Sequence, residues 1–264
     1  MPQRILITGA AGGVGTLMRS RLRRPDRTLR MLDVKEVPAA ENGESVEIVE
    51  ASVTDTEAMV RACSGVDAVL HLGGFSRENG WNETLSVNID GTHSVLDAAL
   101  RAGVPRVILA SSNHAAGFRR VAEAGDNGIP ADAPPRPDTY YGVSKAAMEA
   151  LGSLYHSRFG MDVICVRIGS CFERVRDERG LELWLSPDDC ARLFEACLSC
   201  PSPGYRVVWG ISDNTRKTVS LDEARALGYE PQDDAEQFAD EVTPNTKHEY
   251  IGGPFTTTPL GEPN

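Results

Sequence analysis

Seven residues near the start, Gly9-Ala10-Ala11-Gly12-Gly13-Val14-Gly15, constrain this chain more than any others. They follow the apolar run Ile5-Leu6-Ile7 and precede a stretch of helical periodicity. Glycines at 9, 12 and 15 permit a tight turn and close backbone approach, and the helix start beyond them favours a pyrophosphate. A glycine loop by itself marks many kinds of turn. In a strand–loop–helix setting it predicts a dinucleotide site.

The chain after the loop keeps the same rhythm. Apolar runs rich in Val, Ile and Leu at 4–8, 29–33, 46–50, 68–72, 107–110 and 162–168 suit strands buried on both faces of a parallel sheet. Helical stretches fall at 13–23, 56–63, 82–102 and 139–159, with Asp55 and Asp138 placed to cap two of them. Asn88 stands out inside the third as a polar, helix-unfriendly residue. The expected fold is α/β, a Rossmann-like doubly wound parallel sheet with a small C-terminal substrate-binding cap. Residues 1–264 are expected to form one domain, with 1–170 as the dinucleotide-binding core and 171–264 mostly as cap and tail. In that last third, 186–200 reads as a helix opened by Ser186 and Pro187, 205–209 as a strand, and 220–227 and 234–243 as short helices.

Composition excludes several classes. A net charge of −11 repels polyanions, and the basic run Arg19-Ser20-Arg21-Leu22-Arg23-Arg24 falls at an expected helix end, where a solvated terminus explains it. No nucleic-acid partner is expected. No run approaches the roughly 18 apolar residues of a membrane span, and no signal-peptide core precedes Ile5, so a cytoplasmic protein without a membrane partner is expected. The six cysteines include one C-x-x-C, Cys197-Leu198-Ser199-Cys200, without a second pair at ligand spacing. Small helical residues in a reducing compartment account for them, and no metal is expected.

Asp33, closing the second strand, can accept hydrogen bonds from the adenosine ribose hydroxyls and repel a 2′-phosphate. NAD is therefore the expected cofactor, with Lys35 nearby. His71-Leu72-Gly73-Gly74 puts small residues where the nicotinamide ribose passes, and His71 itself reads as a core histidine. Tyr141-Gly142-Val143-Ser144-Lys145 places Tyr and Lys one helical turn apart on one face. A free tyrosine titrates near a pKa of about 10, and an adjacent ammonium lowers that value toward the range of a useful base.

Together these segments resemble the short-chain dehydrogenase/reductase superfamily over nearly all the chain. The resemblance implies an NAD-dependent oxidoreductase in which Ser112, in Ala110-Ser111-Ser112-Asn113, completes a catalytic set with Tyr141 and Lys145. Its Ser–Tyr separation and Asn88-Ile89-Asp90-Gly91-Thr92 are similar to the extended, sugar-modifying branch. His71–Gly74, Ala110–His114, Val166-Arg167-Ile168-Gly169-Ser170-Cys171 and Val208-Trp209-Gly210 resemble one group within it, the uronate dehydrogenases. That resemblance implies oxidation of C1 of D-glucuronate or D-galacturonate to the aldarolactone.

It also implies site roles. Ser76, Ser112, Asn113 and His114 contact the sugar, with Ser170 and Arg179 at its carboxylate; Arg174 and Arg176 share the same loop. Gly9, Gly12, Gly13, Val14, Gly15, Asp33, Val34, Lys35, Ser52, Val53, Leu72, Gly73, Gly74, Phe75, Ser76, Asn88, Tyr141, Lys145 and Cys171 line the cofactor groove. Ser52 departs from the Asp that relatives place toward the adenine amino group. Rival activities are a nucleotide-sugar epimerase or dehydratase, which needs a larger C-terminal domain, a neutral-sugar or steroid-type dehydrogenase, and a non-catalytic NAD sensor, which commonly lacks the Tyr/Lys pair. A homo-oligomer is expected, and the tail Tyr250-Ile251-Gly252-Gly253-Pro254-Phe255 can pack either on a neighbouring subunit or on its own chain.

Overall fold

The computed structural model describes residues 3–242 and 248–263. Its strands are β1 (Gln3–Thr8), β2 (Arg27–Asp33), β3 (Val46–Glu50), β4 (Ala68–His71), β5 (Arg106–Ser112), β6 (Asp162–Ile168), β7 (Ser170–Cys171), β8 (Trp184–Leu185) and β9 (Tyr205–Gly210). Seven of them form one sheet in the order β3-β2-β1-β4-β5-β6-β9, and every pair within it is parallel. β7 and β8 make a separate two-stranded ribbon. The expected Rossmann-like sheet is the one observed.

Strand alternation sorts the core into two layers. Ile5 and Ile7 of β1 pack on one face with Ile108, Ile164 and Val166, whereas Leu6 packs on the other with Val69, Val107, Leu109 and Val163. Helices α1 (Gly13–Arg21), α2 (Thr56–Cys63), α3 (Trp81–Thr84), α4 (Gly91–Arg101), α5 (Tyr140–Phe159), α6 (Gly180–Leu183), α7 (Pro187–Ser199) and α8 (Asp222–Ala226) follow in chain order. The first layer buries α1 and α7, and the second buries α2, α4 and α5. Two elements from beyond residue 170, α7 and β9, thus belong to the sheet and its flanking layer.

Several local expectations meet a physical correction. Asp55 caps α2, accepting from the Ala58 N–H at 3.0 Å. Asp138 does not cap α5; its neighbour Thr139 does, accepting from the Gly142 N–H at 3.0 Å, and leaves Asp138 free for another partner. The helix expected over 82–102 is broken at Asn88 by a π-helical turn, Leu85–Asp90. There the buried Asn88 amide accepts from the Phe75 N–H (2.8 Å) and donates to the Phe75 carbonyl (3.1 Å) and the Ser144 hydroxyl (2.9 Å). Widening the helix is what lets this side chain reach both segments. The basic run is more than a solvated terminus: Arg19 pairs with Glu44 and holds the Pro38 and Ala39 carbonyls, and Arg21 pairs with Asp188 of α7. The short helix expected over 234–243 is a 3-10 segment, Ala235–Glu241, and residue 243 lies outside the described residues.

One buried ion pair fixes where α5 sits. Glu149, one turn past Lys145, receives the Arg167 guanidinium of β6 through Nε and Nη2, both at 2.8 Å, and the Ser111 hydroxyl of β5 at 2.6 Å. Losing one partner of such a pair costs about 3–5 kcal/mol, because the other charge stays buried. Among the described residues no helix is long and apolar enough to cross a membrane. Among them, too, no three His, Cys, Asp or Glu side chains gather at metal-ligand spacing, and all six cysteines are free.

Candidate active site

All strands of a parallel sheet end on the same edge, and ligands bind there where strand order reverses. Here that edge carries Thr8, Asp33, His71, Ser112 and Ile168. A cleft of about 530 Å³ opens above it.

The glycine loop floors one end of this cleft. Gly9 has φ +70°, and a Cβ there would lie 2.6 Å from the Gly73 nitrogen; one on Gly15 would lie 2.3 Å from the Gly9 oxygen. Gly12 is less confined, its Cβ falling 3.1 Å from the same oxygen, and a Cβ on Gly13 meets nothing within 4 Å. The loop is therefore tight beneath and open on the side where Gly13 and Val14 line the cleft. That is the shape a pyrophosphate at the start of α1 requires, so the residues fit a dinucleotide. Asp33, buried at the end of β2, accepts the Ala11 N–H on one carboxylate oxygen and the Lys35 N–H on the other, both at 2.9 Å. Each oxygen keeps a lone pair for a further donor.

Around this end the expected residues divide into lining and support. Leu72, Gly74, Phe75 and Ser76 line the cleft. Gly73 and Val53 stand behind them, a Cβ at Gly73 falling 3.0 Å from Val53. Val34 and Lys35 are exposed beyond Asp33, and the Ser52 hydroxyl bonds that of Thr54 at 2.8 Å. Asn88 braces Phe75 from below and is not in the lining. His71 is a core residue as expected, 2.8 Å from the Thr8 hydroxyl, and burial lowers its pKa to about 3.

Ser112, Tyr141 and Lys145 meet in the middle of the cleft. Burial pushes the Tyr141 pKa up to about 12, while a hydrogen bond with Ser112 acts to lower it. The expected lowering by Lys145 is not observed. The ammonium donates to the Ala110 carbonyl at 2.7 Å and lies 5.5 Å from the centre of the tyrosine ring. Burial in turn depresses the Lys145 pKa to about 8.

The far end is built from distant segments. Ser170 and Cys171 of β7 line it beside Arg174, Arg176 and Arg179. Arg174 pairs with Glu241, and the Arg176 guanidinium lies 3.7 Å from the centre of the exposed Phe172 ring. Arg179 is half-buried and has no carboxylate within 4.0 Å among the described residues. It donates from Nε to the Ile251 carbonyl at 2.8 Å. With the Asn113 amide nitrogen turned to the Ile168 carbonyl, the Asn113 oxygen accepts from Arg179 Nη2 at 2.5 Å. A guanidinium held by neutral oxygens in a desolvated wall keeps its charge for an incoming anion.

Two features of this end escape the sequence. The tail packs on its own chain: Ile251 and Gly252 donate their N–H groups to the Arg119 and Gly117 carbonyls at 2.9 and 2.8 Å. It brings Phe255 into the cleft, stacked on His114 with ring centres 4.0 Å apart. Asp138, displaced from the cap by Thr139, accepts from His114 Nδ1 at 2.7 Å. The sequence marks Asp138 as a cap and Phe255 as part of the tail, and nothing in it brings either to this site.

The model of the NAD dependent epimerase/dehydratase family matches residues 5–177. A uronate dehydrogenase of Pseudomonas syringae pv. tomato is 43% identical over 90% of this chain and 85% of its own. An NAD-dependent glucose-6-phosphate dehydrogenase of Haloferax volcanii is 40% identical over 92% of this chain and 98% of its own. Among solved structures, a tyrosine-to-alanine mutant of the Agrobacterium tumefaciens uronate dehydrogenase complexed with NAD superposes with a TM-score of 0.91 at 35% identity, covering 97% of this chain and 98% of that one. The glycine loop, the Tyr141/Lys145 turn and these similarities converge: the chain belongs to the NAD dependent epimerase/dehydratase family, in the branch that holds the uronate dehydrogenases.

Proposed function

We propose that this chain oxidises C1 of a hexuronate, D-glucuronate or D-galacturonate, to the aldarolactone with NAD. The observation that carries the reading is one cleft holding a dinucleotide loop, a Tyr141/Lys145/Ser112 centre and, opposite, an Arg179 that pairs with no carboxylate among the described residues and is held by Asn113 and Ile251. NAD supplies the hydride acceptor. Gly9, Gly12, Gly13, Val14 and Gly15 cradle its pyrophosphate, and Asp33 accepts from the adenosine ribose. Val34, Lys35, Ser52 and Val53 flank the adenosine, while Leu72 to Ser76, Asn88 and Cys171 shape the rest of the groove.

Tyr141 takes the proton of the C1 hydroxyl as hydride leaves C1, and Ser112 steadies the developing carbonyl oxygen. Lys145 lies over the same ring, and its positive charge favours the phenolate once its bond to Ala110 is relaxed. Ser76, Asn113 and His114 orient the sugar; Ser170 and Arg179 hold its carboxylate. Residues 171–264 complete the core through α7 and β9 and supply the cap of a single domain. A cytoplasmic location and a homo-oligomer are part of the same proposal, the oligomer alone being supported by Leu154 and Phe159 exposed on α5.

An aldose phosphate is the second reading, favoured by the similarity to the Haloferax volcanii enzyme and by Arg174 and Arg176 at the rim. NADH formation across glucuronate, galacturonate, glucose and glucose 6-phosphate separates the two. The proposal expects the uronates to be oxidised best; turnover of glucose 6-phosphate alone overturns it.

A further inference from the structure

The pair formed by His114 and Asp138 is the feature that the cofactor and the Tyr141/Lys145/Ser112 centre leave unexplained. Asp138 is walled in by three glycines from separate segments. A Cβ on Gly117 or Gly252 would fall 2.0 Å from its Oδ2, and one on Gly142 would fall 2.8 Å from its Oδ1. These glycines come from the loop after β5, from α5 and from the tail, and their Cα atoms close around one carboxylate. None of the three positions has room for a side-chain atom while the Asp138 carboxylate stays in place.

Both oxygens of that carboxylate are committed. Oδ1 accepts from the Thr139 hydroxyl at 3.0 Å, and Oδ2 faces His114 Nδ1 at 2.7 Å. An ionised carboxylate only accepts, so the proton of this bond sits on Nδ1. The imidazole is buried between Phe255, stacked at 4.0 Å, and the edge of Tyr141, 5.7 Å away. Burial disfavours its cation and Arg179 adds to that, against Asp138 and Glu78. A neutral ring with its proton on Nδ1 has a bare Nε2, an acceptor.

We propose that Asp138 is a positioning residue that locks His114 in the Nδ1–H tautomer, so that Nε2 presents the cleft with an acceptor for a sugar hydroxyl. Much else around the sugar donates: Arg179 and Ser112 both carry N–H or O–H groups. The bare nitrogen selects a ring hydroxyl in an orientation that can donate to it. The sugar in this statement rests on the proposed function; the tautomer does not.

Asp138→Asn provides the test, because it keeps the shape and inverts the polarity. The Thr139 hydroxyl holds the amide oxygen at the Oδ1 position, which turns the NH2 group toward Nδ1 and moves the ring proton to Nε2. Nitrogen-15 imidazole spectra of the unliganded protein report the tautomer directly, with five histidines to assign and His114→Gln to identify the signal. The expected result is a protonated Nδ1 in the native chain and a protonated Nε2 in Asp138→Asn. In that variant kcat/KM for the sugar falls about 10- to 100-fold, as for a buried polar group left facing a like partner, while NAD affinity and Tm stay near native. Gly252→Ala is the second variant. Its backbone, at φ −69°, accepts alanine, but the new methyl drives Asp138 away from His114, and the Nδ1–H signature is lost. A protonated Nε2 in the native chain, or unchanged kcat/KM in Asp138→Asn, overturns the proposal. Loss of all uronate activity in the native chain, with the tautomer as stated, overturns the proposed substrate and leaves Asp138 its role.

Discussion

At the glycine loop the tight contacts are backbone against backbone: Gly9 against Gly73, and Gly15 against the Gly9 carbonyl. Across the cleft, at Arg179 and His114, the tight contacts are side chains meeting segments far along the chain. Arg179 is bound to Ile251 and Asn113, and His114 to Asp138 and Phe255. The glycine loop itself is one strand, one turn and one helix, closed by the ends of β2 and β4 at Asp33 and Gly73; the substrate end exists only when four segments have come together. The difference teaches which end can vary. Exchange of a side chain such as Arg179 at the second end alters what is held there without moving the sheet, whereas at Gly9 and Gly15 the first end has no room for an added methyl.

Gly15→Ala tests that asymmetry with the largest expected effect. The methyl meets the Gly9 carbonyl, so the loop must shift, with a stability loss of about 1–3 kcal/mol and at least about 100-fold weaker NAD binding. Thermal melts and NADH fluorescence titration check both. Tolerance of the alanine with native affinity breaks the comparison. Arg179→Ala comes next and sharpens it from the other side. Uronate turnover relative to the parent hexose falls about 10- to 100-fold through KM, as for a charge-assisted hydrogen bond, with NAD binding unchanged. Steady-state kinetics on the two sugars check it, and an unchanged preference breaks the carboxylate role.

The smallest effect concerns Lys145, which sits between the two ends. Burial lowers its pKa from the ordinary 10.5 to about 8 in the folded chain. Above pH 8 the unfolded chain therefore binds a proton that the folded chain has lost, and stability rises with pH. Tyr141 acts the other way above pH 10, because burial raises its pKa to about 12. Lys145 by itself contributes a gain of about 2 kcal/mol over pH 8–10, while the Cys63, Cys165, Cys190 and Cys197 thiols, raised by burial, take stability away as pH passes their ordinary value of 9.0. The Tm difference between the native chain and Lys145→Met, measured without cofactor, shifts in favour of the native chain over that window; parallel profiles contradict it.

Legibility followed the same division. The sheet, the loop, Asp33 and the Tyr141/Lys145 turn were readable because each depends on short-range spacing and strand periodicity. Asp138 was misplaced as a cap because Asp138 and Thr139 are both good capping residues, and only the fold shows which of them His114 claims. The break in the helix at Asn88 had a local sign, a polar residue in a helical stretch, but its cause is the remote Phe75 backbone. The tail was legible as a segment able to pack on its own chain, but not the entry of Phe255 into the cleft, since its partner His114 lies 141 residues away and no local spacing links them. The expected drop in the Tyr141 pKa failed for an energetic reason: burial of the phenol outweighs a lysine whose ammonium is bonded to Ala110.

In the proposed reaction hydride leaves C1 of a hexuronate and Tyr141 accepts the hydroxyl proton. Glucuronate carrying deuterium at C1 tests it most directly, with mass analysis of the reduced cofactor for the native chain and for Tyr141→Phe. The account predicts deuterium in the reduced cofactor from the native chain. In Tyr141→Phe it predicts turnover at least about 100-fold slower, the scale of a lost acid–base group, although NAD still binds. Reduced cofactor without deuterium, or a phenylalanine variant that turns over at the native rate, contradicts it.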